Sequence, residues 1–150
     1  MIKIHKTVTI NAPIEKVFAY MNDPHHLPEI WPSMVEIKNV KSNPNGGYDF
    51  GWGYKMAGMK FDGASEATEN ILNQRIGTQS KKGIESKFTW IFTDTTNNNT
   101  QLDVDIEYNI PIPLIGKLAE AIILKENDQE ADTLLANLKS KMEISTLMPA

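Results

Sequence analysis

Six rings carry most of the chemistry this chain offers: Trp52, Tyr54, Phe61, Phe88, Trp90 and Tyr108. Each falls on the apolar side of an alternating segment, so all six are expected on one face of a sheet. Rings gathered that way supply apolar area, while the indole N–H and phenol O–H supply polar handles. That is the chemistry of holding a small apolar or amphipathic molecule. For bond-breaking the chain offers less. It has no Ser-x-x-Lys or Gly-x-Ser-x-Gly arrangement, and Glu66, Asp105 and Glu107 alternate outward, where carboxylates are solvated.

Arg75 is the remaining charged candidate. It shares a face with Asn73 and Gly77, opposite Gln74 and Ile76. A one-residue slip would carry it inward, where its guanidinium would meet a ligand carboxylate; Gln74 and Thr78 are the alternative inward polar groups. His25, His26 and Glu29 lie close together, with His25 and Glu29 one helical step apart. A metal site needs at least three converging ligands, and His5 points outward by alternation. No metal and no cofactor is therefore expected. Gly51-Trp52-Gly53-Tyr54 lies inside a strand rather than opening a helix, so it is not a phosphate loop. Its glycines let a curved strand coil.

The elements that must position these rings follow from periodicity. Ile2, Ile4, Val8 and Ile10 alternate with polar residues and predict a first strand. Asn11 is the expected N-cap of a short helix carrying Ile14, Val17, Phe18 and Met21. A second short helix runs from Pro24 to Ile30. Six strands follow: Met34–Lys41, Tyr48–Met56, Met59–Thr68, Leu72–Ser80, Lys87–Thr93 and Leu102–Ile110. Each has one apolar and one polar side, as in an antiparallel sheet wet on one face.

The dry face needs a cover, and the stretch from Leu114 to Ile144 provides it. Its apolar residues follow helical spacing. Leu124, Ala131, Leu135, Leu138 and Met142 form one stripe, with Leu134 at its edge. Leu118 and Ile122 form a second, and the polar interval from Lys125 to Glu130 separates them. The expected fold is α+β: a curved seven-stranded antiparallel sheet wrapped around a long C-terminal helix, with two short helices between strands 1 and 2. Leu118 and Ile122 are expected to join the six rings on the wall of a ligand-sized cavity, several hundred Å³ or so in volume.

A chain of 150 residues with net charge -4 has the size of one domain. It has no basic run, so no nucleic-acid partner is expected. Cysteine is absent, which excludes disulfides and thiol chemistry. The first residues alternate instead of forming an apolar block, and the long helix is too polar to span a bilayer. A cytoplasmic protein without integral membrane association is expected.

Three stretches resemble a known family. Thr9-Ile10-Asn11-Ala12-Pro13-Ile14-Glu15-Lys16-Val17-Phe18 is similar to the strand-to-helix entry of the START-like, SRPBCC superfamily. Leu27-Pro28-Glu29-Ile30-Trp31-Pro32-Ser33 resembles its Pro-and-Trp segment. Leu134 to Glu143 resembles its L-x-x-L-K-x-x-x-E ending. Within the superfamily the likeness is to the polyketide cyclase/dehydratase-like group. It implies the helix-grip fold over the whole chain, 1–150, as a single ligand-binding domain. It further implies a lipid, quinone or polyketide-like ligand. Two alternatives stand beside binding: a cyclase, aromatase or dehydratase with an inward acid or base, and a protein-interaction module with a filled core and an exposed apolar patch.

Overall fold

Alternation in the sequence becomes alternation in burial. A computed structural model describes residues 1–111, 113 and 116–147. Seven strands form one antiparallel sheet: β1 (Ile2–Ile10), β2 (Met34–Ser42), β3 (Tyr48–Met56), β4 (Met59–Ile71), β5 (Arg75–Lys82), β6 (Ser86–Asp94) and β7 (Thr100–Tyr108). Their order across the sheet is β1-β7-β6-β5-β4-β3-β2. Every neighbour but β1 is thus a hairpin partner, and β1 pairs with the last strand through Ile4↔Ile106 and Val8↔Leu102. In β7 the residues Thr100, Leu102, Val104, Ile106 and Tyr108 are all buried, with more exposed residues between them. Register shifts in the β2–β3 and β4–β5 pairings bend the sheet, as extra residues in one strand do.

Two short helices, α1 (Ile14–Asn22) and α2 (Leu27–Ile30), connect β1 to β2. Pro13, not Asn11, caps α1, without a side-chain bond. The Asn11 backbone N–H instead donates to Glu143 Oε2 at 2.9 Å. Expected strand ends shift elsewhere. Leu72 to Gln74 form a turn, with Asn73 in the left-handed region, so β5 begins at Arg75.

The cover is α3 (Glu120–Leu147). Its expected start at Leu114 lies outside the described residues. Gly116, at φ 84°, adopts a conformation foreign to a right-handed helix, and one 3-10 turn (Lys117–Ala119) leads into α3. The helix spans 28 residues, about 42 Å. No described helix is long and apolar enough to cross a membrane.

The buried stripe of α3 is Ile123, Ala131, Leu134, Leu135, Leu138 and Met142. Leu134, expected at the edge, is 2% exposed, whereas Leu118 and Ile122 are 99% and 62% exposed. They are not on the sheet side. In the run Ala121-Ile122-Ile123-Leu124 it is Ile123 that turns inward. The C-terminal half is also tied down by polar contacts. Asn137 Nδ2 donates to Ile30 O at 2.9 Å, Lys139 Nζ to Thr9 O at 2.8 Å, and Lys141 pairs with Glu29 at 2.8 Å.

Candidate functional site

Between the concave face of the sheet and the middle of α3 lies a cavity of about 120 Å³, partly open to solvent. It is smaller than the several hundred Å³ expected, because side chains from α2 and its flanks reach into the space between sheet and helix. Trp31, which follows α2, packs edge-on against Tyr54 at 5.6 Å and lies tilted against Phe88 at 5.3 Å between ring centres.

Trp52, Tyr54, Phe88, Trp90 and Tyr108 line the cavity. Phe61 is buried in the same core as the cross-strand neighbour of Tyr54, but stands outside the lining. Leu118 and Ile122 face away from it, as their exposure requires. Arg75 does not enter either. Ile76 and Thr78 line the cavity, so the register is the uninverted one and Arg75 lies on the outer face. There its Nε sits 3.1 Å from Glu69 Oε1, a charge contact without hydrogen-bond alignment. Gln74 is exposed in the turn.

The rings are fixed by their neighbours. Trp52 Nε1 donates to the buried Ser65 Oγ at 3.0 Å, which satisfies an indole N–H that would otherwise be stranded. Gly63, one cross-strand step away, leaves room for that indole: a Cβ there would overlap the Trp52 ring and the Lys82 carbonyl. On the outer face, a Cβ at Gly51 or Gly53 would crowd the Lys38 and Lys60 side chains, so glycine lets those lysines lie flat.

On its α3 side the cavity carries a polar pole. Asn127 and Glu130, three residues apart on α3, meet Tyr108 and Tyr54 there. Asn127 Nδ2 donates to Tyr108 Oη at 3.1 Å, and Glu130 Oε1 accepts the Ser33 backbone N–H at 2.7 Å. Burial pushes the Tyr54 hydroxyl pKa well above tyrosine's ordinary value; the Glu130 charge adds to the rise, and hydrogen bonds from Trp31 and Ser33 oppose it. Burial raises that of Tyr108 as well, against the Asn127 bond. Both hydroxyls therefore stay protonated at neutral pH. Alternation alone did not place Trp31, Ser65, Asn127 and Glu130 here. For the last two the signal was present: Ile123, Asn127, Glu130, Ala131 and Leu134 follow one helical stripe.

His25, His26 and Glu29 do not converge on a common point. His25 Nδ1 lies 2.8 Å from Asp23 Oδ1, His26 stacks on Tyr20 at 4.2 Å, and Glu29 accepts from Tyr20 Oη at 2.9 Å. Among the described residues no cluster of three or more metal-ligating side chains occurs.

A family profile described as polyketide cyclase / dehydrase and lipid transport matches residues 1–143. The chain belongs to that family. This polyketide cyclase / dehydrase family member shares its fold with TTHA0849 from Thermus thermophilus, at TM-score 0.81 and 20% identity, over 96% of this chain and 99% of that one. A START superfamily protein from Mycobacterium smegmatis matches at 0.72 and 18%, over 94% and 97%. The Zhui aromatase/cyclase from Streptomyces sp. R1128 matches at 0.71 and 14%, over 91% and 93%. A comparison with curated protein sequences finds no match. At these identities the likeness establishes the fold of the family member; its activity has to be argued from the site.

Proposed function

We propose that the chain is a single binding domain that holds a small hydrophobic or amphipathic molecule between sheet and helix. One observation carries this: the aromatic cavity meets, on its α3 side, a polar pole built from two tyrosines, Asn127 and Glu130. Apolar walls with a few convergent polar groups are the usual make-up of a small-molecule site. Protonated tyrosines donate hydrogen bonds, which suits them to orienting a polar group of a bound molecule. At about 120 Å³ the void suits a single ring, since a dry cavity of about 150 Å³ holds benzene. Larger ligands require the wall to yield, and Met21, Met34 and Met56 in the lining are the flexible side chains that permit it.

The test is NMR titration with toluene, a neutral single ring, on the native protein and on Ala131→Phe. Ala131 lines the cavity and is buried, so a ring there competes with the probe for one volume. Binding by the native protein and loss in a folded variant is the expected pair of results. No binding by the native protein overturns the proposal. It would favour a protein-interaction module, for which exposed Leu118 and Ile122 provide the specific support.

A further inference from the structure

The charges around the cavity restrict what can occupy it. Among the described lining residues there is no Lys, Arg or His, and the only carboxylate is Glu130. Arg75, the cationic candidate in the sequence, is turned to the outer face against Glu69. A carboxylate ligand would thus find no positive partner at the pole and would meet a like charge beside a largely apolar wall, where repulsion is screened less than in bulk water.

The hydrogen-bonding capacity points the same way. The Tyr108 oxygen accepts from Asn127, which leaves its own hydrogen to give. The Tyr54 hydroxyl lines the same cavity, and a phenol can donate as well as accept. Glu130 Oε1 accepts one backbone N–H, and a carboxylate has room for about four such bonds. The pole therefore offers two hydroxyl donors and one strong acceptor. A neutral hydroxyl matches it, since it accepts from a tyrosine and donates to Glu130. An ammonium head would satisfy Glu130, but it would bring a charge into a largely apolar wall and leave the tyrosine hydrogens unmatched.

Resting on the binding function above, we propose that the ligand's head is an uncharged hydrogen-bond donor, a phenol or alcohol, and that Glu130 selects it against carboxylates. NMR titration at neutral pH with 4-ethylphenol, 4-ethylbenzoate and 4-ethylbenzylamine tests this. The expected order places the phenol first and the benzoate at least about tenfold weaker. In Glu130→Gln the phenol-to-benzoate preference falls by at least about tenfold, because the amide keeps an acceptor for Ser33 and loses the charge. A melting curve confirms that this variant is folded. Benzoate binding as tight as phenol, an unchanged preference in the variant, or benzylamine binding tightest each overturns the head-group assignment while the cavity function stands. Binding of none of the three overturns the head-group assignment, and it removes the cavity function too if toluene also fails.

Discussion

The two halves of α3 are made of similar residues and are held very differently. From Ala131 to Met142 the helix buries five apolar side chains and anchors polar ones to β1 and α2. From Glu120 to Glu126 it buries only Ile123 and leaves Ile122 in solvent. The cavity and its polar pole lie where the two regimes meet. The contrast teaches that the helix is a fixed beam at one end and a lightly seated cover at the other. The α3 residues that line the cavity, Asn127, Glu130, Ala131 and Leu134, lie at the junction and at the start of the fixed part.

The contrast is broken most sharply by Leu138→Ala. Leu138 is 0% exposed, and its truncation is expected to cost roughly 2–5 kcal/mol, read from the urea midpoint. A cost below about 1 kcal/mol would mean the beam is not fixed there.

Alkaline pH probes the junction. Burial raises the pKa values of Tyr54 and Tyr108, so the folded state holds these protons more tightly than the unfolded chain does. Their contribution to stability is complete below tyrosine's ordinary value, about 10, and is lost as pH rises past it. The urea midpoint is expected to fall above that pH, less steeply in Tyr54→Phe. Equal slopes in both proteins would detach Tyr54 from the effect.

Lys139→Ala is next. The side chain lies on the polar side of α3, yet it bonds Thr9 O and pairs with Glu143 at 2.6 Å. Being partly exposed, it is expected to contribute about 1 kcal/mol, against almost nothing for a purely solvated lysine. The smallest effect belongs to Ile122→Ala, expected within about 0.5 kcal/mol of the native protein. Hydrogen exchange across 120–126 faster than across 134–142 would sharpen the same contrast, and equal protection would erase it.

The strands were legible because burial of one face imposes a period of two, and Leu102 to Tyr108 shows it without interruption. The helix was legible as a helix, but its phase was not. Four consecutive apolar residues, 121–124, satisfy several faces at once, and only contact with the sheet selects Ile123 over Ile122. The rings of the cavity were readable from alternation. Its volume was not, because it depends on how far Trp31 reaches in from a different element. Ser65 escaped notice because one small polar residue in a strand gives no sign that an indole waits opposite. Asn127 and Glu130 fall in a polar interval of the helix, and polarity in a helix is ordinarily a sign of solvent.

The pairing of β1 with β7 has a consequence for how the chain comes into being. His5 and Asp105 are register partners one hundred residues apart. On a ribosome adding roughly 5–20 residues per second, Ile4 and Ile10 emerge several seconds before any of their β7 partners exist. The hairpins from β2 to β7 can zip in order of synthesis, but β1 must wait, and α3 can be seated only after it. Closing so long a loop is slow. The native sheet is therefore completed at its first-made edge last, and during that interval an apolar strand stands open to the neighbours of a crowded cell.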